Sequence, residues 1–313
     1  MPVDELLTPL NNLFMAVSLI LGLLVGSFCN VCVGRWPHGE SVVSPRSRCP
    51  KCMNAIVWYD NIPLLSWLLL GAKCRHCKAP ISWQYPVVEA ITGVLFLLVY
   101  LRFGMTWASP VYMLLAAAMV VVTFQDLADW TIPNEITLPG IPVGLGLSVI
   151  AMFLGAESGL RVLDPFNALG GIVLGFGILY GLDRLTVLIL KRPGMGMGDV
   201  KLLAMLGGFI GWQGVLGTIM IASVLGSTVG GAMILYFRVK GVPGEAESPE
   251  SGEATEDRPR REESGEEDEA DISLGQHYLP FGPYLAIGSL IYLFFGPELV
   301  GWYLAQFMGA PPL

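Results

Sequence analysis

The sequence predicts an all-α polytopic membrane protein with about eight transmembrane helices and a small cytoplasmic zinc-binding loop domain. Three observations predict it. Hydrophobic residues make up 53% of the chain, charged residues only 14%, and the mean hydropathy is +0.60, a profile of membrane proteins rather than soluble domains. Stretches 6–34, 136–154, 166–182 and 214–237 contain no charged residue, and a helix needs about 20 apolar residues to cross a bilayer core. Finally, four cysteines sit as two CxxC pairs within one hydrophilic loop, 35–85.

In chain order the apolar segments run at 12–34, 86–101, 108–125, 136–155, 166–190, 200–212, 214–237 and 278–296. The first is not read as a cleaved signal peptide, because only Asp4 and Glu5 precede it and no basic residue does. The segment at 200–212 is short for a span and reads as a half-helix or as one arm of a tight hairpin at "GWQG". Loop 35–85 holds seven bases (Arg35, Arg46, Arg48, Lys51, Lys73, Arg75, Lys78), Lys191 and Arg192 occupy a second loop, and Arg238 and Lys240 follow the seventh segment. The opposite side receives only Arg102 and Arg161. The positive-inside tendency therefore makes the basic loops cytoplasmic and the N-terminus external.

The domain organisation that follows is a first span (1–34), a cytoplasmic four-cysteine domain (35–85), a membrane core (86–240), an acidic insert (241–276) and a C-terminal transmembrane segment (277–313). The formal charge of −8 is concentrated: residues 245–271 carry 13 acids and three bases, leaving 15 bases against 13 acids elsewhere. With almost no apolar side chains, the insert cannot offset the entropy of ordering and is expected to be a flexible cytoplasmic linker, with docking of a basic partner as the other reading.

Cys49, Cys52, Cys74 and Cys77 have the spacing of two metal knuckles. Two residues between thiolates let one tight turn aim both sulfurs at one ion, and two such turns make a tetrahedral site. Zinc suits soft ligands in a reducing compartment, and such a site is structural rather than catalytic. Two disulfides or a redox pair are the other readings. Cys29 and Cys32 share the spacing but lie inside the first apolar segment, where they read as packing residues. His76 reads as solvated; His38 and His277 form no pattern.

Few acids fall at membrane boundaries: Glu89, Asp126, Asp129, Asp183 and Asp199. An ionisable group there is costly unless it is solvated, paired or neutralised, so each is a functional candidate. Asp199 follows "GMGMG", whose glycines permit a sharp turn or close approach of a substrate strand, although an Asp opening a helix is also an ordinary cap. Asp126 supplies a second carboxylate at the same membrane face. Two such groups brought together share a proton, so that one can activate water while the other polarises a carbonyl.

At this point the residues match a family. "GSFCNVCVGRWP", "SRCPKC", "CRHCKAPISWQYPVVEAITG", "QDLADWTIPNEITLP", "GMGDVKLLAMLG" and "LPFGPYLAIG" occur in the order found in bacterial type IV prepilin peptidases, membrane aspartyl proteases of the GxGD type, which the chain resembles over most of its length. The resemblance implies that Asp126, seven residues before Pro133 in a D-x5-(I/L)-P motif with Ile132, and Asp199, after Gly196 and Gly198, form the catalytic pair. Asp129 is then a neighbour, and Lys201 either holds a carboxylate or snorkels to the interface. It further implies cleavage of basic leaders from prepilins or pseudopilins at the cytoplasmic face of the bacterial inner membrane. N-methylation of the new N-terminus with S-adenosylmethionine would follow, as expected of members that keep the cysteine loop. No glycine fingerprint for a methyl donor follows a strand, so no residues are assigned to it. The implied partners are these precursors and membrane lipid, with no nucleic acid; the oligomeric state is not legible. Competing readings are a GxGD peptidase acting on other membrane signal sequences and a transporter subunit whose membrane-edge acids relay protons. The acidic insert departs from the family, which has a short connector there.

Overall fold

The structure, a computed structural model, describes residues 3–191, 194–240 and 280–308. The acidic insert at 241–276, Arg192 and His277 lie outside the described residues, as does the expectation that the insert is flexible. The described chain is helical: α1 (Val3–Arg35), α2 (Leu65–Leu69), α3 (Gln84–Phe103), α4 (Ala108–Asp129), α5 (Asn134–Leu154), α6 (Pro165–Leu190), α7 (Met197–Lys240) and α8 (Gly282–Met308). Seven of these, all but α2, are long and apolar enough to cross a membrane.

Local chemistry sets the helix ends. Asp164 caps α6 by accepting the Phe166 N–H at 3.1 Å, with Pro165 in the first turn. α4 ends where Trp130 turns left-handed (φ 56) and its N–H closes on the Asp126 carbonyl at 3.1 Å. α4 is the central helix: Ala116, Met119 and Val122 are fully buried, and it packs against α1, α3 and α8. Helix contacts in this bundle use small residues, as expected where lipid supplies no hydrophobic drive. A Cβ on Gly207 would stand 2.2 Å from the Gly171 carbonyl carbon of α6.

The two apolar segments at 200–212 and 214–237 form one helical run, α7, interrupted at Gly211, whose φ of 71° and ψ of −179° leave the helical region. Contacts show what this break does. In the first arm Gly211 adjoins Asn167 at the start of α6, while Gly194, just before the arm, adjoins Thr186 near the end of α6. The first arm and α6 are therefore antiparallel. In the second arm Gly217 meets Tyr292 of α8, and Thr218 and Ala222 meet Gly288. The second arm and α8 are antiparallel as well. Because α8 starts beside Asp126, at the end where the first arm also starts, the chain reverses at Gly211. The hairpin reading of "GWQG" holds. The first arm, at 1.5 Å per residue, rises about 20 Å, less than a bilayer core of about 30 Å.

The chain divides into two compact units, one of residues 1–225 with 280–313, the other of 226–279. In the second, the described part is the remainder of α7, where the Lys240 Nζ lies 4.8 Å from the centre of the Tyr236 ring.

Candidate active site and cysteine cluster

Asp126 occupies the last turn of α4, and Asp199 the first turn of α7. Both side chains are buried, although 72 residues separate them in sequence, and they are near enough to interact electrostatically. Their settings differ. The Asp126 carboxylate accepts the backbone N–H of Gly282, the first residue of α8. Position 282 leaves no room for a side chain, since a Cβ there would lie 2.5 Å from Asp126 Oδ2. Oδ1 of Asp199 is buried and has no hydrogen-bond partner among the described residues. An orphaned carboxylate oxygen in an apolar setting is costly, and in native proteins such groups call for an explanation in function.

Ile132 wedges between the two motifs. Its side chain lies 3.0 Å from the Cβ positions of both Gly198 and Gly282, so larger residues at either would displace it. Gly196 lies beside Asp199, its Cβ position 3.4 Å from Asp199 Oδ2. Lys201 holds an amide rather than a carboxylate: its Nζ donates to the Asn134 side-chain Oδ1 at 2.9 Å, tying the first turn of α7 to the start of α5. Asp129 is exposed, the last residue of α4. Asp183 of α6 accepts the N–H groups of Gly194 (3.1 Å) and Met195 (3.2 Å), fixing the glycine-rich approach to Asp199. Glu89 is buried near the start of α3, where its Oε2 accepts the Leu64 N–H at 2.9 Å. Gly282, Asn134 and the loop-holding role of Asp183 escaped sequence reasoning. The motifs "PFGP" and "IPN" contain the first two, but only folding shows what they touch.

The four loop cysteines come together, with all four sulfurs within 4.8 Å of one another. They are free thiols, not disulfides. Cys49 and Cys77 sulfurs lie 3.8 Å apart, and those of Cys52 and Cys74 4.0 Å. A tetrahedron of thiolates around zinc, with bonds of about 2.3 Å, has edges of about 3.8 Å, so the residues fit such an ion. The two halves repeat one turn. Met53 N–H closes on the Cys49 carbonyl (2.9 Å) and Cys49 N–H on that of Asn54 (3.0 Å); Lys78 closes on Cys74 (3.0 Å) and Cys74 on Ala79 (2.8 Å). Both turns use a left-handed residue, Met53 (φ 58) and Lys78 (φ 60). Backbone N–H groups then point at sulfur. Those of Cys52 and Lys51 pull the Cys49 thiol down to about 6, and those of Cys77 and His76 lower Cys74. Thiolate is the form that binds metal. Arg75 clasps Asp60 through Nε (2.7 Å) and Nη2 (2.5 Å), bracing the second knuckle against the intervening turn. Cys29 and Cys32 are buried in α1, as packing residues are.

Fold and sites together define a polytopic helical membrane protein with a buried carboxylate pair at one end and a four-cysteine cluster that could hold a metal ion. Residues 20–103 match the model of the bacterial peptidase A24 N-terminal domain, and residues 113–231 that of the type IV leader peptidase family. A protein of Myxococcus xanthus (strain DK1622) named prepilin leader peptidase/N-methyltransferase is 36% identical over 320 residues, covering 92% of each chain. Proteins of the same name from Stutzerimonas stutzeri (32% identical; 93% of this chain, 94% of that protein) and Pseudomonas aeruginosa (32%; 99% of each) are also similar. No solved structure matches. The chain belongs to the type IV leader peptidase family.

Proposed function

We propose that this protein is a prepilin leader peptidase and N-methyltransferase of the bacterial inner membrane, cutting basic leaders from prepilins at the cytoplasmic face with Asp126 and Asp199 as its catalytic pair. The observation that carries the catalytic part is the burial together of two carboxylates from distant segments, one accepting a backbone N–H and the other with an unpartnered oxygen.

In this mechanism a water lies between the carboxylates. Asp126, oriented by Gly282, takes a proton from the water as its oxygen attacks the scissile carbonyl. Asp199 gives a proton to the carbonyl oxygen. Collapse of the tetrahedral intermediate breaks the C–N bond, and the proton held by Asp126 passes to the leaving amine. No covalent enzyme intermediate forms. Gly196 and Gly198 keep the approach to Asp199 clear, and Lys201, through Asn134, fixes the start of α7 against α5. The substrate is itself a membrane helix whose cleavage bond lies at the bilayer edge, which is where the carboxylates must then stand.

Zinc is the ion proposed for Cys49, Cys52, Cys74 and Cys77; bound there it would cross-link the two halves of loop 35–85. S-adenosylmethionine is the methyl donor that family membership supports. A cavity of about 550 Å³ lined by Phe14, Tyr100, Trp107, Met113 and Glu157 lies at the far end of the bundle from Asp126, so it does not fit a donor acting on an N-terminus made beside the aspartates. A proton-relay transporter would need acids along a path across the membrane, whereas the buried carboxylates of the described residues, Glu89, Asp126 and Asp199, gather at one end.

The test is incubation of purified protein with a pilin precursor bearing its leader and with the same mature segment behind an ordinary secretory signal. Cleavage of the first alone is expected. Cleavage of the second but not the first would move the substrate class, and cleavage of neither by metal-loaded, folded protein would count against the peptidase reading.

A further inference from the structure

The loop between α1 and α3 exposes an apolar face that neither the cysteine cluster nor the aspartates use. On α2, Leu65, Leu68 and Leu69 are 57%, 66% and 85% exposed, and their i, i+3, i+4 spacing puts them on one side of the helix. Trp83, 71% exposed, flanks α2 with its ring centre 4.3 Å from that of Trp67.

A part-buried bond ties this face to α3. Leu64, immediately before α2, donates its N–H to Glu89 Oε2 at 2.9 Å while holding a positive φ (60°, with ψ −49°) that leucine rarely adopts. Glu89 is not at the end of its helix. It lies five residues past Gln84, the first residue of the 20-residue span Gln84–Phe103. Such a span is just long enough to cross a bilayer core, so Glu89 lies about 7.5 Å inside that helix's edge. Ser27 and the close approach of Gly26 hold Glu89 from the α1 side.

The backbone around α2 is also self-sufficient. The N–H groups of Ser66, Leu68, Leu70, Gly71 and Ala72 bond to carbonyls of Ile62, Leu64, Ser66, Leu68 and Trp67. Ile62 N–H goes to the Ser66 hydroxyl, which donates in turn to the Tyr59 carbonyl. Backbone groups satisfied in this way meet the requirement that lipid depth imposes. Loop 35–85 carries seven bases against two acids, which suits anionic headgroups beside it.

We propose that α2 is an interfacial helix: Leu65, Leu68 and Leu69 enter the boundary between headgroups and acyl chains on the side of the bilayer where Asp126 lies, with Glu89 as the tether. Amphipathic segments of this kind sit about 5–10 Å into that boundary. The cysteine domain is thereby laid against the membrane surface beside the carboxylate pair, rather than projecting into solvent.

The test uses the full-length protein in vesicles of phosphatidylcholine and phosphatidylglycerol, with a genetically encoded fluorescent amino acid at position 69 and, separately, at position 68. Both sites are exposed, so replacement leaves the packing intact, and retention of the bound metal verifies the fold. Quenching by a lipid carrying a nitroxide near its headgroup is expected to exceed quenching by aqueous iodide about threefold or more. Stronger quenching by iodide at both positions would overturn the proposal. So would protection that appears only when a pilin precursor is added, since that would give the face to a protein partner.

Discussion

The cysteine loop and the aspartate end of the bundle both converge several side chains on one point, but they reach it with different amounts of chain. Each knuckle is closed by hydrogen bonds between residues no more than five apart, such as Met53 to Cys49 and Lys78 to Cys74. The carboxylates instead need the end of α4, the reversal of α7 at Gly211 and the start of α8 to be in place together. A site built from local turns is specified by spacing and survives changes elsewhere. A site built from helix ends inherits the packing of the whole bundle, and small residues such as Gly207 and Gly282 become as necessary to it as the acids.

Substitutions can break this contrast in a graded way. The largest effect belongs to the carboxylates: Asp126→Asn or Asp199→Asn should each lower precursor cleavage by about a thousandfold or more, whereas exposed Asp129→Asn should stay near wild type. Gly282→Ala comes next. Its methyl group must displace Asp126 Oδ2 or shift α8, which should cost on the order of 1–3 kcal/mol in stability and about a hundredfold in cleavage rate with metal content unchanged. Stripping the metal with a chelator should act on the other region. Amide exchange would accelerate through 47–56 and 72–81 while α4 stays protected; simultaneous loss of protection in both would show that the two regions fold as one. The smallest effect concerns Lys201. Lys201→Met and Asn134→Ala should each slow cleavage by about three- to tenfold, and the double variant should be no worse than either, because both remove the same bond.

Much of the fold was legible because lipid imposes it. Charge-free stretches marked the spans, and the four cysteines announced their cluster by spacing alone. The break in α7 was half legible: "GWQG" offered a turn, but its reversal rests on the contacts of Gly217 with Tyr292 and of Gly211 with Asn167, which no local pattern encodes. Asp126 and Asp199 could be picked out as acids at a membrane edge and, by resemblance, as a pair. What sequence could not supply is the difference between them, because the Gly282 N–H arrives from a segment more than 150 residues away. The Lys201 partner was missed for the same reason. A long side chain at a membrane edge has several plausible uses, and only the placement of α5 selects Asn134.

The central claim is that Asp126 and Asp199 act as one unit, and the most direct measurement is the cleavage rate of a leader-bearing precursor by Asp126→Asn, Asp199→Asn and the double variant at equal folded, metal-loaded protein. A shared-proton pair predicts that the double variant is no slower than the slower single one, since losing either carboxylate already abolishes the pair. Fully additive losses, or near-normal cleavage by either single variant, would contradict it.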